Sequence, residues 1–233
     1  MQHSNMQDIQ ANAIWEAWNR RGFADRCDRL LDALEHLPAH AEAALTRQLA
    51  QQILDDARPL GETLEMPGPT GESNELYLTG RGVALVLGTA DSTETLLACQ
   101  TIAALACGNA VVLHREGKDQ WLTALVEALY QAGVPRAMLA LDTDTPESEL
   151  LKLNDLRLVI TSCTPAREIE LNRALADQDG VLIQLVAETD LQHYPLLTSA
   201  DFLLRLVTEK TRTINTTAVG GNATLLELGS RTV

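Results

Sequence analysis

The pattern of apolar and polar positions divides the chain into a helical first quarter and a longer part in which short apolar runs alternate with helical patterns. Before residue 59, apolar side chains recur at helical spacing in three stretches. These stripes are Ile14, Trp15 and Trp18, then Cys27, Leu30, Leu31, Leu34 and Leu37, then Ala44, Leu45, Leu49, Ile53 and Leu54. Pro38 and Pro59 close the second and third stripes, because proline interrupts a helix. Segment 1–59 is therefore predicted to form helices that pack on the remainder of the chain.

Residues 82–207 alternate between strand-like and helix-like segments. Apolar runs rich in Val, Ile and Leu are typical of strands buried in a parallel sheet, and they cover 83–87, 110–113, 138–141, 156–161 and 181–186. Helical patterns occupy 95–106, 121–130, 147–153, 165–176 and 198–207. Asp91 or Ser92 is the expected N-cap of the first of these helices, and Gly108-Asn109 its expected end. The alternation predicts an α/β fold with a doubly wound, mostly parallel, Rossmann-like sheet.

Residues 60–81 predict a projecting β-hairpin, called the flap below. Two short alternating segments, 62–66 and 75–79, are joined across Pro67, Gly68, Pro69, Thr70, Gly71 and Glu72. Proline and glycine favour a turn there. Because a lone hairpin is marginal in water, its strands are expected to pair or pack with another surface. The alternative is a loop-covered edge of the main domain's own sheet.

Residues 208–233 predict a C-terminal docking tail. A strand is expected at 212–217, and Gly220, Gly221 and Asn222 break it before the apolar segment 223–228. Burying a side chain such as Ile214 or Leu225 gains about 1.5–3 kcal/mol, so the tail is expected to dock against a surface. The alternative is an ordinary C-terminal strand within its own domain.

The charge of the chain narrows the range of partners. Eighteen basic and thirty-two acidic residues give a net charge of −14, which opposes binding to nucleic acid and to anionic membrane surfaces. No apolar run approaches the roughly 18 residues of a membrane span, and the first ten residues carry no apolar core, so a soluble cytoplasmic protein is expected.

The cysteines and histidines offer no clear metal or redox site. Cys27, Cys99, Cys107 and Cys163 form no C-x-x-C pair and lie in apolar or helical settings, so buried free thiols are expected. His36 and His40 are four residues apart but lack the His-Glu-x-x-His context of a zinc site.

The stretch 82–115, GVALVLGTADSTETLLACQTIAALACGNAVVLHR, resembles the first half of the NAD-binding domain of the aldehyde dehydrogenase superfamily. Together with the turn 67–72, PGPTGE, and the tail 213–229, TINTTAVGGNATLLELG, it resembles the C-terminal region of the proline utilization A (PutA) family. Proteins of that family are bifunctional proline dehydrogenases and pyrroline-5-carboxylate dehydrogenases that use FAD and NAD and oxidise proline to glutamate. The resemblance spans residues 60–229.

Positions that carry chemistry in the aldehyde dehydrogenase superfamily differ in this chain. Asp91 stands where an Asn amide would stabilise the oxyanion, and Ser162 stands where a glycine would let the dinucleotide approach. His114, Arg115, Glu116 and Gly117 replace Lys-Pro-Ser-Glu, which leaves Glu116 as a weak candidate for the ribose.

The residues of the acyl-transfer chemistry differ as well. Glu188, in Ala-Glu-Thr-Asp-Leu-Gln, matches a catalytic base, but Asp190-Leu191 replaces the Gly-Gly that follows it. The Gly-Gln-x-Cys nucleophile has no counterpart in this sequence, and Cys163 is expected to be a structural thiol.

The resemblance therefore implies a non-catalytic domain with no catalytic, cofactor-binding or metal residues of its own. It implies a cover over the channel between the two active sites of a PutA enzyme, with the catalytic domains of PutA or another copy of this chain as partner and a homo-oligomer formed through flap or tail. The expected contact residues are Pro67, Gly68, Pro69, Thr70, Gly71, Glu72, Asn215, Gly220, Gly221, Asn222, Thr224 and Leu225. The alternatives are a small NAD(H)-binding module or degenerate aldehyde dehydrogenase, or an oligomerising scaffold unrelated to proline metabolism.

Overall fold

The computed structural model describes residues 13–117 and 119–215, and within them the strands form two sheets. The strands are β1 Leu64–Met66, β2 Glu72–Gly80, β3 Val83–Leu87, β4 Ala110–His114, β5 Leu139–Asp142, β6 Leu156–Ser162, β7 Gln184–Glu188 and β8 Val207–Asn215. The helices are α1 at 13–20, α2 Gly22–Leu34, α3 Ala43–Ala57, α4 Glu94–Ala106, α5 Gln120–Gln131, α6 Glu147–Leu150 and α7 Pro165–Ala176.

The larger sheet is parallel throughout and has the order β5-β4-β3-β6-β7. The chain runs outward from β3 to β5, returns across the sheet, and then runs outward again from β6 to β7. The order therefore reverses between β3 and β6, as in doubly wound folds. This confirms the predicted α/β fold class. The observed strands begin or end up to three residues from the predicted bounds.

Helix α4 lies at the centre of the molecule and is buried on every side. Each residue from Thr95 to Ala106 is buried, because the sheet covers one face of the helix while α2 and α3 pack against it from elsewhere. The third predicted apolar stripe is partly wrong. Leu45 is 36% exposed, and the inward positions of α3 are Thr46, Ala50, Ile53, Leu54 and Ala57. Small inward residues such as Ala50 and Ala57 allow α3 to lie close to α4.

The smaller sheet has the order β1-β2-β8 and contains the flap. β1 and β2 form the predicted antiparallel hairpin, and β8 pairs antiparallel with β2 from Gly80↔Val207 to Glu72↔Asn215. The hairpin was expected to pair with another surface, and that surface is β8 of the same chain. Residues 216–233, which include the predicted contacts Gly220, Gly221, Asn222, Thr224 and Leu225, lie outside the described residues.

The helix predicted at 198–207 is wrong. A short 3₁₀ helix, Leu203–Leu206, is followed directly by β8. The apolar spacing that predicted a helix comes from Phe202, Leu203, Leu206 and Val207, which are all buried by this one turn and the start of the strand.

The end of α4 is joined to both sheets through Asn109, which is fully buried. Its Oδ1 accepts hydrogen bonds from the backbone N–H of Arg81 at 2.7 Å and of Gly82 at 3.3 Å. Its Nδ2 donates to the carbonyls of Ala104 at 3.2 Å and Leu206 at 2.9 Å. One amide therefore connects α4, the start of β3 and the start of β8.

Glycines make this junction possible. Gly108 has φ +88°, the left-handed conformation that was predicted to end α4. A Cβ on Gly80 would lie 2.3 Å from the Gly108 carbonyl oxygen. Asn19 closes the junction from α1, since its Nδ2 donates to the Gly108 carbonyl at 2.9 Å and its Oδ1 accepts from the Gly80 N–H at 3.1 Å.

Replacing Asn109 with alanine is expected to lower the free energy of unfolding by about 3 kcal/mol, because two backbone donors and two carbonyls lose their buried partner. Urea denaturation followed by circular dichroism measures this change. Asn154→Ala, in an exposed turn, is the matched control and should change the free energy of unfolding by less than about 0.5 kcal/mol. Equal midpoints for the two variants would show that Asn109 does not hold the junction.

Candidate functional site

A cleft of about 970 Å³ opens at the carboxyl ends of the parallel strands. Its walls are the loop after β3 at 88–92, the end of β4 with the two residues that follow it at 114–116, the start of α6 with the three residues before it at 144–147, and the first turns of α7 at 164–170. The cleft thus lies where the strand order reverses, which is the usual ligand position in open α/β sheets.

The loop after β3 is fastened to the end of β6 by hydroxyl groups. Thr89 Oγ1 donates to the Ser162 carbonyl at 2.8 Å, and Ser92 Oγ donates to the same carbonyl at 3.1 Å. Ser162 Oγ in turn donates to Ser92 Oγ at 2.9 Å, and Ser162 is fully buried. Ser162 therefore supports the loop from beneath and does not line the cleft.

The N-cap of α4 differs from the prediction. Thr93 is the capping residue, and its side chain accepts from the Leu96 N–H at 3.2 Å. Ser92 is committed to Ser162, and Asp91 lies exposed in the cleft wall. The correct cap was therefore the next hydroxyl residue along the chain.

His114 ends β4 and lines the cleft although it is only 3% exposed. Its Nδ1 lies 2.8 Å from the Asp142 carbonyl oxygen, so Nδ1 carries a proton and donates it. The Asp142 carboxylate accepts from the N–H of Thr145 at 2.9 Å and of Asp144 at 3.1 Å. The Thr145 bond is the main cause of the lowered pKa of Asp142. These contacts fix the rim of the cleft between β4 and α6.

Both guanidinium groups in the cleft wall are already paired. Arg115 forms ion pairs with Asp119 and, at 3.9 Å, with Glu94, while Arg167 pairs with Glu147 and, at 2.9 Å, with Glu170.

The cleft also has an excess of negative charge. The lining carboxylates are Asp91, Glu116, Asp144, Glu147 and Glu170. A pyrophosphate would face this excess with no unpaired Arg in the described cleft wall, so the charges disfavour a dinucleotide.

Glu188 ends β7 and has a structural role in the fold. It is 3% exposed, and its carboxylate accepts three backbone N–H groups: Asp190 at 3.1 Å, Leu196 at 2.8 Å and Leu197 at 3.1 Å. These bonds hold the turn at 190–197 against the end of the strand. A general base needs a lone pair that faces the substrate, whereas the described contacts of Glu188 all point to backbone donors.

Asp190, which replaces the first glycine of the family pattern, shapes the same turn. Its Oδ1 accepts from the N–H groups of Gln192 and His193, each at 3.1 Å, and its carboxylate pairs with the His193 ring at 3.0 Å. The Gln192 bond is the main cause of the lowered pKa of Asp190.

The four cysteines are free and buried, as predicted. Burial raises the pKa of Cys163 to about 11, and its N–H donates to the Glu188 carbonyl at 3.0 Å. Burial also raises the pKa of Cys27 to about 11, and of Cys99 and Cys107 to about 12. A thiol with such a high pKa is a poor nucleophile at neutral pH.

The predicted contact residues of the flap lie together at one end of the small sheet. The turn 67–72 is largely exposed, and Glu72 pairs in register with Asn215 at the end of β8. The structure therefore places two parts of the predicted contact set side by side. Sequence reasoning missed two ion pairs of the cleft. Arg115 pairs with Asp119, four residues further along the chain, and Arg167 in α7 pairs with Glu147 at the start of α6.

The part of the chain that the structure describes offers neither a metal site nor a membrane-spanning helix. No group of three or more His, Cys, Asp or Glu side chains in 13–117 and 119–215 is arranged to hold a metal ion. Within those ranges no helix combines the length and apolar character needed to cross a membrane.

The Glu188→Gln variant is expected to lose about 2 kcal/mol of unfolding free energy, because an amide NH₂ would face backbone donors that now bind a carboxylate. Thermal unfolding at neutral pH measures this loss. The control is Glu170→Gln, at an exposed position of α7. An unchanged stability for Glu188→Gln would contradict the structural role.

No thiol is expected to react with 5,5′-dithiobis(2-nitrobenzoate) at pH 8 in the folded protein, because burial shields all four and keeps them protonated. In urea all four should react. The absorbance of the released thiolate counts them. Rapid modification of one thiol in the native chain, traced by peptide mapping to Cys163, would identify a nucleophile.

No protein-family model matches the chain. The bifunctional protein PutA of Rhizobium meliloti is 33% identical over 174 residues, which cover 73% of this chain and 13% of the relative. PutA of Escherichia coli K12 is 32% identical over 169 residues, or 70% of this chain and 11% of the relative. The chain thus matches only a small part of these relatives.

Solved structures agree with the sequence comparison. A mutant of Bradyrhizobium japonicum PutA superposes with a TM-score of 0.66 at 26% identity, over 80% of this chain and 22% of that one. Succinate-semialdehyde dehydrogenase from Burkholderia pseudomallei gives 0.64 at 17% identity, over 77% and 42% of the two chains, which supports the fold alone. The resemblance predicted from the sequence is confirmed: this chain is related to the PutA family, and its described part has the fold of an aldehyde-dehydrogenase-like domain.

Proposed function

We propose that this chain is a non-catalytic domain of a PutA-type bifunctional enzyme of proline catabolism. The observation that carries the proposal is the state of Glu188, whose carboxylate is bound by three backbone N–H groups. The buried Cys163, with its raised pKa, supports the same conclusion. In this proposal the domain keeps the aldehyde dehydrogenase fold, and Glu188 and Cys163 stabilise that fold instead of taking part in a reaction.

The proposed work of the domain is to cover the channel through which pyrroline-5-carboxylate passes between the two active sites of the enzyme. The flap supplies the contact surface, because Leu64 is 53% and Met66 44% exposed on an edge strand. The residues proposed to make the contact are Pro67, Gly68, Pro69, Thr70, Gly71, Glu72 and Asn215, together with Gly220, Gly221, Asn222, Thr224 and Leu225 in the tail. The partner is the catalytic part of a PutA protein or a second copy of this chain, in the cytoplasm.

A second candidate is a small NAD(H)-binding module, and the position and volume of the cleft favour it. The residues of the cleft are poorly suited to binding NAD(H). Arg115 and Arg167 are in ion pairs, and Asp91 lies before α4 with Glu94 in its first turn, where a pyrophosphate would otherwise bind at a helix N-terminus. We therefore propose that the chain holds no cofactor, and that FAD and NAD belong to the catalytic parts of its parent.

Titration calorimetry of the chain with NAD⁺ and with NADH, up to millimolar ligand, separates the two candidates. The covering domain should give only heats of dilution, because the cleft is acidic and its cations are paired. An NAD-dependent aldehyde dehydrogenase in the same buffer is the positive control. Saturable heat that is lost in the variant His114→Ala would support the nucleotide-binding module instead.

Reconstitution tests the covering role directly. Rhizobium meliloti PutA that lacks the segment similar to this chain is mixed with the chain, and NADH formation from proline is followed. Proline should be oxidised to glutamate with a shorter lag when the chain is present. A chain carrying Leu64→Ser and Met66→Ser should restore less, while Ile169→Ser on α7, at an equally exposed position, is the control. An unchanged lag would reject the covering role.

A further inference from the structure

The last strand of the parallel sheet, β7, has one edge that no other described strand covers. It pairs with β6 alone, at one end of the order β5-β4-β3-β6-β7. Among the described residues, the backbone hydrogen bonds outside helices and ladders include none from 181–187. Since a strand offers N–H and C=O groups on both sides, the outer side of β7 presents a row of groups available for pairing.

The sequence of this edge lacks the features that usually block strand pairing. Segment 181–187, VLIQLVA, contains no charged residue and no proline. Val181 is 64% and Leu182 92% exposed, directly before the strand begins. Natural edge strands are normally protected by Lys, Pro, a bulge or a covering loop. An uncharged, β-branched and apolar edge of this kind is typical of a surface to which another strand is added.

The edge is also held rigid. Ile183, Leu185 and Ala187 pack on the cluster beneath α6 and α7, while Val186, 1% exposed, belongs to the main core on the opposite face. The backbone N–H groups bound by Glu188 fix the end of the strand. An incoming strand therefore meets a preformed template, which lowers the entropy lost on binding.

The charges beside the edge indicate what kind of strand fits. Asp177 and Asp179 precede the segment and take part in no ion pair among the described residues, and Asp190 follows it. If a second copy paired antiparallel with this edge, the acidic flank of one chain would lie near the acidic flank of the other, and like charges placed opposite each other destabilise a sheet. The net charge of −14 adds to this repulsion.

We propose that the β7 edge binds an extended segment of another protein whose central residues are apolar and whose ends carry Lys or Arg. Backbone hydrogen bonds to β7 and apolar contacts with Val181 and Leu182 hold its centre. Asp177 and Asp179 bind one of its ends, and Asp190, whose carboxylate also holds the turn that follows β7, adds negative charge beside the other. This surface belongs to the parallel sheet, whereas the flap and β8 belong to the smaller sheet, and it does not depend on the proposed covering role.

The test uses the full chain and a fluorescein-labelled peptide, KKVTVTVKK, with binding measured by fluorescence anisotropy. The peptide should bind saturably, and the variant with Val181→Ser and Leu182→Ser should bind at least about fivefold more weakly, as expected for the loss of two apolar contacts. Leu204→Ser, at a position 49% exposed in a different part of the fold, is the matched control and should bind normally. Circular dichroism confirms that each variant is folded.

Two further peptides distinguish strand addition from charge attraction. The same peptide N-methylated at its valines and threonines has no central N–H on either edge to donate to β7 and should not bind, and EEVTVTVEE should bind at least about tenfold more weakly, because its ends repel the acidic flanks. Equal binding of the methylated peptide, or no binding of KKVTVTVKK, would overturn the proposal. If light scattering shows that the chain is a dimer and that the Leu182→Ser variant is a monomer, the edge binds a second copy, and this result would also overturn the proposal.

Discussion

The buried amide of Asn109 is the contact on which the relative position of the two sheets depends. It is satisfied only when the end of α4, the start of β3 and the start of β8 lie at hydrogen-bonding distance from one another. Leaving any of these groups unpaired inside the protein costs free energy, so the three segments hold each other in place. β2 ends at Gly80 and β8 begins at Val207, both beside this amide, and the flap therefore projects in a direction that the junction defines.

The sequence pattern correctly predicted the elements with continuous buried runs. Its predictions failed where the burial of a residue depends on segments far away along the chain. β3 and α4 followed from their apolar runs, and the left-handed Gly108 was expected because a glycine ends the helical pattern. The run at 181–186 predicted a strand three residues too early, since Val181 and Leu182 are apolar yet exposed. No local pattern indicated that β8 pairs with the flap, because that pairing joins residues more than a hundred positions apart.

The same limit applies to the candidate site. The departures from the family pattern at Asp91, Ser162 and Glu188 are visible in the sequence, but their roles are not. Ser162 was expected to intrude on the dinucleotide and instead supports the loop after β3 from below. In the sequence Glu188 matches the position of a catalytic base, and only the structure places it against three N–H groups. A carboxylate at the end of a strand can serve either chemistry or chain folding, and its neighbours determine which.

The complete burial of α4 bears on how the chain folds. The sheet alone would leave the outer side of this helix in water, and that side is largely apolar from Leu96 to Ala106. Helices α2 and α3 cover it, and Arg26, 1% exposed, donates from its guanidinium to the Ala106 carbonyl at 2.8 Å at the end of the same helix. The N-terminal helices and the parallel sheet therefore bury the same helix, and the change of sequence pattern near residue 59 does not coincide with a break in packing.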